Sequence, residues 1–139
     1  METWELVARE CVRDTVARYN HAGDAGRFGT MVECFAPDGE LVIVGSGSYT
    51  GHAALRAFFS GVGGTAPGFT YLRHCVTNLL IDVVDAQEAT ASSYFQVITD
   101  IGLDHWGRYR DRLVPVGDRW LFAERSVKTD GYAAGSFFA

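Results

Sequence analysis

The sequence lacks the patterns that mark several large classes of protein. No apolar run approaches the ~20 residues that a bilayer span requires. The acidic amino terminus has neither the basic nor the apolar region of a signal peptide. No basic stripe is present and the net charge is −5, which argues against nucleic acid as a partner. We therefore expect a cytoplasmic protein that binds neither nucleic acid nor a membrane.

Metal and nucleotide motifs are missing as well. Cys11, Cys34 and Cys75 lie far apart in apolar sequence and no CxxC spacing occurs, so we expect buried free thiols and no metal site. The glycine clusters at 45–47 and 61–64 fit neither the dinucleotide nor the phosphate-loop pattern. We expect turns at both clusters.

The chain has enough apolar residues for a core. At 139 residues it has the length of one domain, spanning 1–139. A chain of this length buries roughly two thirds of its unfolded surface, which suffices for a core and one enclosed pocket. Aromatic residues make up 13%, and we expect them to form the wall of that pocket.

Hydrophobic periodicity predicts helices first and antiparallel strands afterwards, which indicates an α+β fold with helices covering one face of a curved sheet. We predict Pro37-Asp38-Gly39 to be a turn and 61–68 to be a connector. The predicted helices cover residues 2–21, a segment carrying Phe28 to Phe35, and residues 52–62. The predicted strands cover 40–44, a short segment at 49–50, and residues near 69–84, 89–101, 106–116 and 119–128, with hairpin turns at 85–88 and 115–118.

Strand alternation selects the candidate binding residues. Period two places His74, Val76, Asn78 and Leu80 on one side of a strand, where Asn78 binds a substrate oxygen or bonds a neighbouring strand. Neither face of the next strand is plainly polar, and we predict Tyr94 as its ligand contact.

The last two strands add two more candidates. Tyr109 and Asp111 share a face opposite Arg108, Arg110 and Arg112, which read as a solvated face. Arg125 alternates with apolar residues and points inward. There it either anchors an anionic or carbonyl group or pairs with Asp111.

Several strings, in order along almost the whole chain, resemble the SnoaL-like branch of the nuclear transport factor 2-like superfamily. They are Arg18-Tyr19 with Asp24, Cys34 to Gly39, Tyr49 to His52, Arg73-His74 with Asn78, Gly107 to Tyr109 with Asp111, and Trp120 with Glu124-Arg125. The resemblance implies a cone-shaped α+β barrel, with three N-terminal helices packed on a curved, mostly antiparallel sheet.

The resemblance also implies a chemistry. Enzymes of this family generally work without cofactors and move a proton inside the cone. Asp24 and His74 match an aspartate–histidine pair of its dehydratases and dehydrochlorinase, Tyr19 matches a cavity tyrosine, and Arg125 lies near a cavity arginine. Arg27 departs from the pattern, since many relatives carry an acidic residue there.

We expect a cofactor-independent lyase or isomerase, of dehydratase or cyclase type, acting on a small hydrophobic polyketide-, steroid- or terpenoid-like substrate of secondary metabolism. The alternative is a non-catalytic ligand-binding or assembly subunit, as the small subunits of ring-hydroxylating dioxygenases are.

The chemistry and the assembly state both make structural predictions. A buried aspartate fixes the tautomer of a histidine and stabilises its imidazolium, so Asp24 and His74 should lie within hydrogen-bond reach at the inner end of an aromatic pocket. The alternative is that Asp24 only caps the second helix and His74 is a core histidine. Tyr19 donates to a developing oxyanion or belongs to the core.

We also expect a homodimer or homotrimer, because the outer sheet face, with Tyr71, Cys75, Leu79 or Phe95 on it, is left uncovered.

Overall fold

The computed structural model describes residues 1–63 and 68–139, so residues 64–67 of the predicted connector lie outside the described part. The helices are α1 (Thr3–Asp24), α2 (Phe28–Glu33) and α3 (His52–Gly63). The strands are β1 (Phe35–Ile43), β2 (Gly47–Thr50), β3 (Arg73–Asp85), β4 (Glu88–Thr99), β5 (Gly102–Val116) and β6 (Arg119–Tyr132). The predicted order of elements is confirmed.

The strands form one open, mixed sheet in the order β2-β1-β6-β5-β4-β3. Strands β1 and β6 run parallel, and the other pairings among the described strands are antiparallel. Helix α1 packs across β3 and β6. The predicted α+β arrangement, with helices on one face of a mostly antiparallel sheet, is confirmed.

The core lies between α1 and the inner sheet face. Helix α1 buries Ala8, Val12, Val16 and Tyr19, whose spacing of three to four residues forms a single apolar stripe. The rings of Tyr19, Phe35 and Phe122 pack with centroids 5.3–6.0 Å apart, and Phe59 joins them from α3. Aromatic side chains therefore fill this part of the cone.

Strand β1 contains the segment that was predicted as a turn. Pro37-Asp38-Gly39 lies inside β1, where the pairing with β6 shifts from Phe35↔Phe122 to Glu40↔Glu124. A Cβ on Gly39 would lie 2.6 Å from the Phe122 carbonyl oxygen. The turn prediction is wrong because these residues form a bulge pressed against the neighbouring strand, and that close approach requires glycine.

A second bulge, in β3, changes which side chains face inward. The pairing with β4 shifts between Thr77 and Leu80, and Asn78 has a φ of 53°, a left-handed conformation that asparagine tolerates. After the bulge Leu79 and Ile81 pack on the core, whereas Leu80 is 62% exposed. The predicted alternation holds for His74 and Val76 and is wrong from Asn78 onward.

Strand β4 turns its aromatic residues to opposite faces. Phe95 and Val97 are buried on the inner face, and Tyr94 is 52% exposed on the outer one. The expectation that Leu79 or Phe95 lies on the outer face is therefore wrong. The arginines of β5 do lie on the solvated side as predicted, with Arg108 paired to Asp130 and Arg112 to Glu88.

The cysteines differ in exposure. All three are free, but only Cys34 is buried, Cys11 is partly buried and Cys75 is exposed. In the described ranges, no helix combines the length and the apolar character that crossing a membrane demands.

Candidate active site

Asp24 and His74 are in direct contact. Asp24 ends α1 and His74 is the second residue of β3, and the Oδ1 atom of Asp24 lies 2.6 Å from Nδ1 of His74. The backbone N–H of His74 donates to the other carboxylate oxygen at 2.9 Å. A carboxylate at Nδ1 holds the ring proton there and leaves Nε2 as the acceptor. The alternative helix-capping role is wrong, since the N-cap residue of α2 is Arg27 and no side chain caps it.

This pair lies in the wall of a cleft between α1 and β3. The cleft has a volume of about 900 Å³, and the side chains of His74 and Asp24 are 22% and 15% exposed. The described residues lining it are Arg13, Val16, Ala17, Asn20, His21, Asp24, Ala25, Arg73, His74, Cys75, Val76 and Leu79. None of these described residues is Phe, Tyr or Trp, so the expectation of an aromatic pocket wall is wrong. The rings instead interdigitate in the core.

Tyr19 belongs to that core and not to the cleft. Its ring packs edge-on against Phe35, Phe59 and Phe122 at 5.7–6.1 Å. Burial raises the pKa of the Tyr19 hydroxyl well above its ordinary value. Of the two roles predicted for Tyr19, donor to an oxyanion or core residue on the apolar face of α1, the packing supports the core residue.

Arg125 points inward, as predicted, and pairs with Asp111. The Nε and Nη2 atoms donate to the two carboxylate oxygens at 2.9 and 3.2 Å, and neither side chain is exposed. The guanidinium carbon lies 3.6 Å from the centre of the Tyr109 ring. Of the two roles left open for Arg125, the ion pair is the one present.

Tyr109 lies behind the cleft wall. Its ring stacks on Phe95 at 4.8 Å, and burial raises the pKa of its hydroxyl to about 12. The hydroxyl donates to Oδ1 of Asn20 at 3.3 Å. Tyr109 is not among the described residues that line the cleft, and its hydroxyl is linked to the cleft through Asn20.

Asn20 is a site residue that the sequence interpretation missed. It lines the cleft, is only 6% exposed, and its Nδ2 atom is buried with no acceptor among the described residues. The signal that indicates it is spacing, because Asn20 stands four residues before Asp24 and thus on the same face of α1.

Two predicted binding residues lie on the wrong face of the sheet. Asn78 and Tyr94 line a depression of about 680 Å³ together with the outward-facing Arg108 and Arg110, and the inward-facing Leu79 and Tyr109 border it as well. The β3 bulge turns Asn78 away from His74, and the pleat of β4 turns Tyr94 outward. Neither lines the cleft that contains Asp24 and His74.

A second aspartate–histidine pair lies on the same inner face. Nδ1 of His105 is 2.7 Å from Oδ1 of Asp104, and a register shift in β5 brings both residues inward. Burial would raise the pKa of Asp104, but donors from Ser136, His105, Phe137 and Thr99 lower it to about 2. The Phe138 ring covers His105 at 4.8 Å, so this pair fastens the C-terminal segment to the sheet.

Over residues 1–63 and 68–139, no three His, Cys, Asp or Glu side chains form a group suited to a metal ion. The polar side chains that line the cleft are the imidazoles of His21 and His74, the Asp24 carboxylate, the Asn20 amide, the Cys75 thiol and the guanidiniums of Arg13 and Arg73.

Comparison with known proteins places this arrangement in the nuclear transport factor 2-like fold. Residues 4–126 match the SnoaL-like domain family, and the chain belongs to that family. The resemblance found in the sequence is confirmed. No curated protein matches the chain.

Solved structures extend the likeness in fold. A candidate scytalone dehydratase from Novosphingobium aromaticivorans is 24% identical, with a TM-score of 0.82 over 96% of this chain and 91% of that one. LinA is 22% identical, with a TM-score of 0.80 over 98% and 96% of the two chains. A protein from Catenulispora acidiphila, solved in complex with S-DNPA, is 30% identical, with a TM-score of 0.75 over 86% and 90%.

Proposed function

We propose that this protein is a cofactor-independent lyase or isomerase, of dehydratase or cyclase type, in which Asp24 and His74 transfer a proton on a small hydrophobic substrate. The observation that carries the proposal is the 2.6 Å contact between Asp24 Oδ1 and His74 Nδ1 in the wall of an open cleft. A positioned imidazole with a carboxylate behind it is a general base.

The proposed reaction begins at a carbon next to an electron-withdrawing group. The C–H bond breaks, the proton passes to Nε2 of His74, and the electron pair moves toward the withdrawing group. Asp24 stabilises the imidazolium that forms. His74 then returns the proton to another carbon, which is isomerisation, or gives it to a departing hydroxyl, which leaves as water. Groups of this kind typically contribute about 10²–10⁴-fold in rate.

The cleft supports a substrate with an apolar body. Its volume of about 900 Å³ falls in the range of small-molecule sites. Val16, Ala17, Val76 and Leu79 supply apolar walls on both sides. Polyketide-, steroid- or terpenoid-like molecules fit this description, and the fold likeness to a candidate scytalone dehydratase and to LinA agrees with proton-transfer chemistry.

The test is a panel of hydroxylated polyketide-, steroid- and terpenoid-like compounds, with loss of one water followed by mass spectrometry. For any compound that the wild-type protein converts, His74→Gln should lower turnover by about 10²-fold or more, because the proton acceptor is gone. Asp24→Asn should act in the same direction, and the double variant should be little worse than His74→Gln. His21→Gln is the matched control, because His21 lines the same cleft and no carboxylate of the described residues is bonded to it. Near-normal turnover by His74→Gln refutes the mechanism.

A second candidate is the non-catalytic ligand-binding or assembly subunit. The packing of Tyr19, Phe35, Phe59 and Phe122 favours it, because these rings occupy space that an enclosed substrate would need. An assembly or binding role predicts that no compound of the panel is turned over and that His74→Gln leaves ligand and partner binding unchanged. Turnover that is lost with His74→Gln selects the enzyme.

A further inference from the structure

We propose that Asn20 is a second catalytic residue of the cleft, whose amide N–H binds the carbonyl oxygen of the substrate. This assigns a substrate class, namely ketones or thioesters whose neighbouring carbon carries an acidic proton. The inference rests on the proposed function for its chemistry, whereas carbonyl binding by Asn20 can be measured without turnover.

The first support is position. Asn20 and Asp24 stand one helical turn apart on the same face of α1, and both line the cleft. Across the cleft His74 is bonded to Asp24. A ligand whose C–H group faces Nε2 of His74 thus presents its adjoining polar atom to the turn of α1 that carries Asn20.

The second support is the unpartnered donor. Nδ2 of Asn20 is buried and has no acceptor among the described residues, although buried polar groups are nearly always bonded. Its own carbonyl oxygen is already occupied by the Tyr109 hydroxyl at 3.3 Å. The group still to be satisfied is therefore a donor, and the matching ligand atom is an acceptor oxygen.

The third support is what holds the amide. Tyr109 fixes Oδ1 of Asn20 from behind, and the cationic guanidinium of Arg125 lies 3.6 Å from the Tyr109 ring centre. A positive charge against the ring strengthens the phenol as a donor, and hydrogen bonds in a chain polarise one another. The Asn20 N–H groups become better donors in turn, with Tyr109 acting as a positioning residue.

The step is balanced in atoms and electrons. His74 Nε2 takes the proton from the carbon beside the carbonyl, the C–H electron pair forms the carbon–carbon double bond, and the carbonyl oxygen gains the negative charge. Asn20 Nδ2 donates to that enolate oxygen. Return of the proton to carbon regenerates neutral His74. A donor aimed at the oxygen binds the enolate more strongly than the ketone, which is what accelerates the step.

The experiment compares β-tetralone with tetralin, which has the same rings without the carbonyl. Calorimetry should show the wild-type protein binding the ketone tighter than the hydrocarbon by about tenfold, the scale of one hydrogen bond. Asn20→Ala should abolish that preference. Asn78→Gly, which removes the only other asparagine side chain of the chain and suits the left-handed backbone at that position, should keep it. The stretching band of a carbon-13-labelled carbonyl should lie at lower frequency in wild type than in Asn20→Ala.

Folding and chemistry are controlled separately. Thermal unfolding checks each variant, and Asn20→Asp, nearly the same shape but an acceptor, should also lose the ketone preference. Deuterium exchange at the carbons beside the β-tetralone carbonyl measures proton transfer, which His74→Gln should abolish. If Asn20→Ala keeps the preference and the band position, or if wild type binds both compounds equally or neither, the inference is overturned. If the preference depends on Asn20 but wild type catalyses no exchange, carbonyl binding stands and the proposed function falls.

Discussion

The buried ion pair between Asp111 and Arg125 allows a quantitative test of the core. The two residues face each other on β5 and β6, share two hydrogen bonds, and are fully buried. Asp111→Asn keeps the shape and removes the negative charge, which leaves the guanidinium buried without compensation. Breaking a buried pair in this way costs about 3–5 kcal/mol of unfolding free energy. That is a large fraction of the roughly 5–15 kcal/mol that a domain of this kind has.

The matched control is the exposed pair between Arg108 and Asp130, 3.3 Å apart on the same two strands. Asp130→Asn should cost only about 0–1 kcal/mol, because solvent already screens that pair. Replacing both buried partners, by Asp111→Leu with Arg125→Met, should be far less costly than Asp111→Asn alone, since no charge is then left unpaired.

The assay is equilibrium unfolding in urea, followed by circular dichroism at neutral pH. The midpoint should fall strongly for Asp111→Asn with an unchanged dependence on denaturant, which identifies a loss of stability and not a change in the unfolded state. If Asp111→Asn costs no more than Asp130→Asn, the reasoning from burial is refuted.

Three further predictions concern pH, packing and assembly. The pKa of Asp104 is lowered to about 2 in the folded state, so its stabilisation is complete above about pH 4, the unfolded value, and is lost as the pH falls toward 2. Asp104→Asn should make the melting temperature less dependent on pH between about pH 4 and pH 2. The same pH dependence in the variant as in wild type contradicts this. Gly107→Ala should lower the melting temperature sharply, because its Cβ would collide with the Lys128 carbonyl oxygen, whereas a Cβ at Gly29 meets open space and Gly29→Ala should not lower it. Light scattering at micromolar concentration should return a dimer or trimer mass that Leu80→Lys reduces to the monomer, and a monomeric wild type refutes it.

Much of the fold follows from local pattern. The apolar spacing from Ala8 to Tyr19 is enough to predict α1, and the polar residues at 85–88 predict the β3–β4 hairpin. The inward direction of Arg125 also follows from alternation with its apolar neighbours. These features depend on residues a few positions apart, so the sequence contains all the information that they require.

The contact of Asp24 with His74 needed more than pattern. Fifty positions separate the two residues, and no periodicity connects an aspartate at a helix end to a histidine on a strand. The likeness of ordered strings to a known family supplied the pairing. The same likeness did not place Tyr19 correctly, because whether an aromatic ring lines a cavity or fills it depends on the rings that face it.

By itself the sequence determined the order of elements, the amphipathic helix and the family. Only the tertiary structure decided which side chains meet. The bulge at Asn78 is set by cross-strand register with β4, which a single strand cannot reveal, and it exchanges Asn78 for Leu79 on the inner face. Likewise only packing shows that Tyr109, from the opposite layer, occupies Oδ1 of Asn20 while no described residue presents an acceptor to Nδ2. Periodicity is a property of one segment. Strand register, the filling of a cavity by aromatic rings and the hydrogen bonding of buried polar groups depend instead on how several segments pack together.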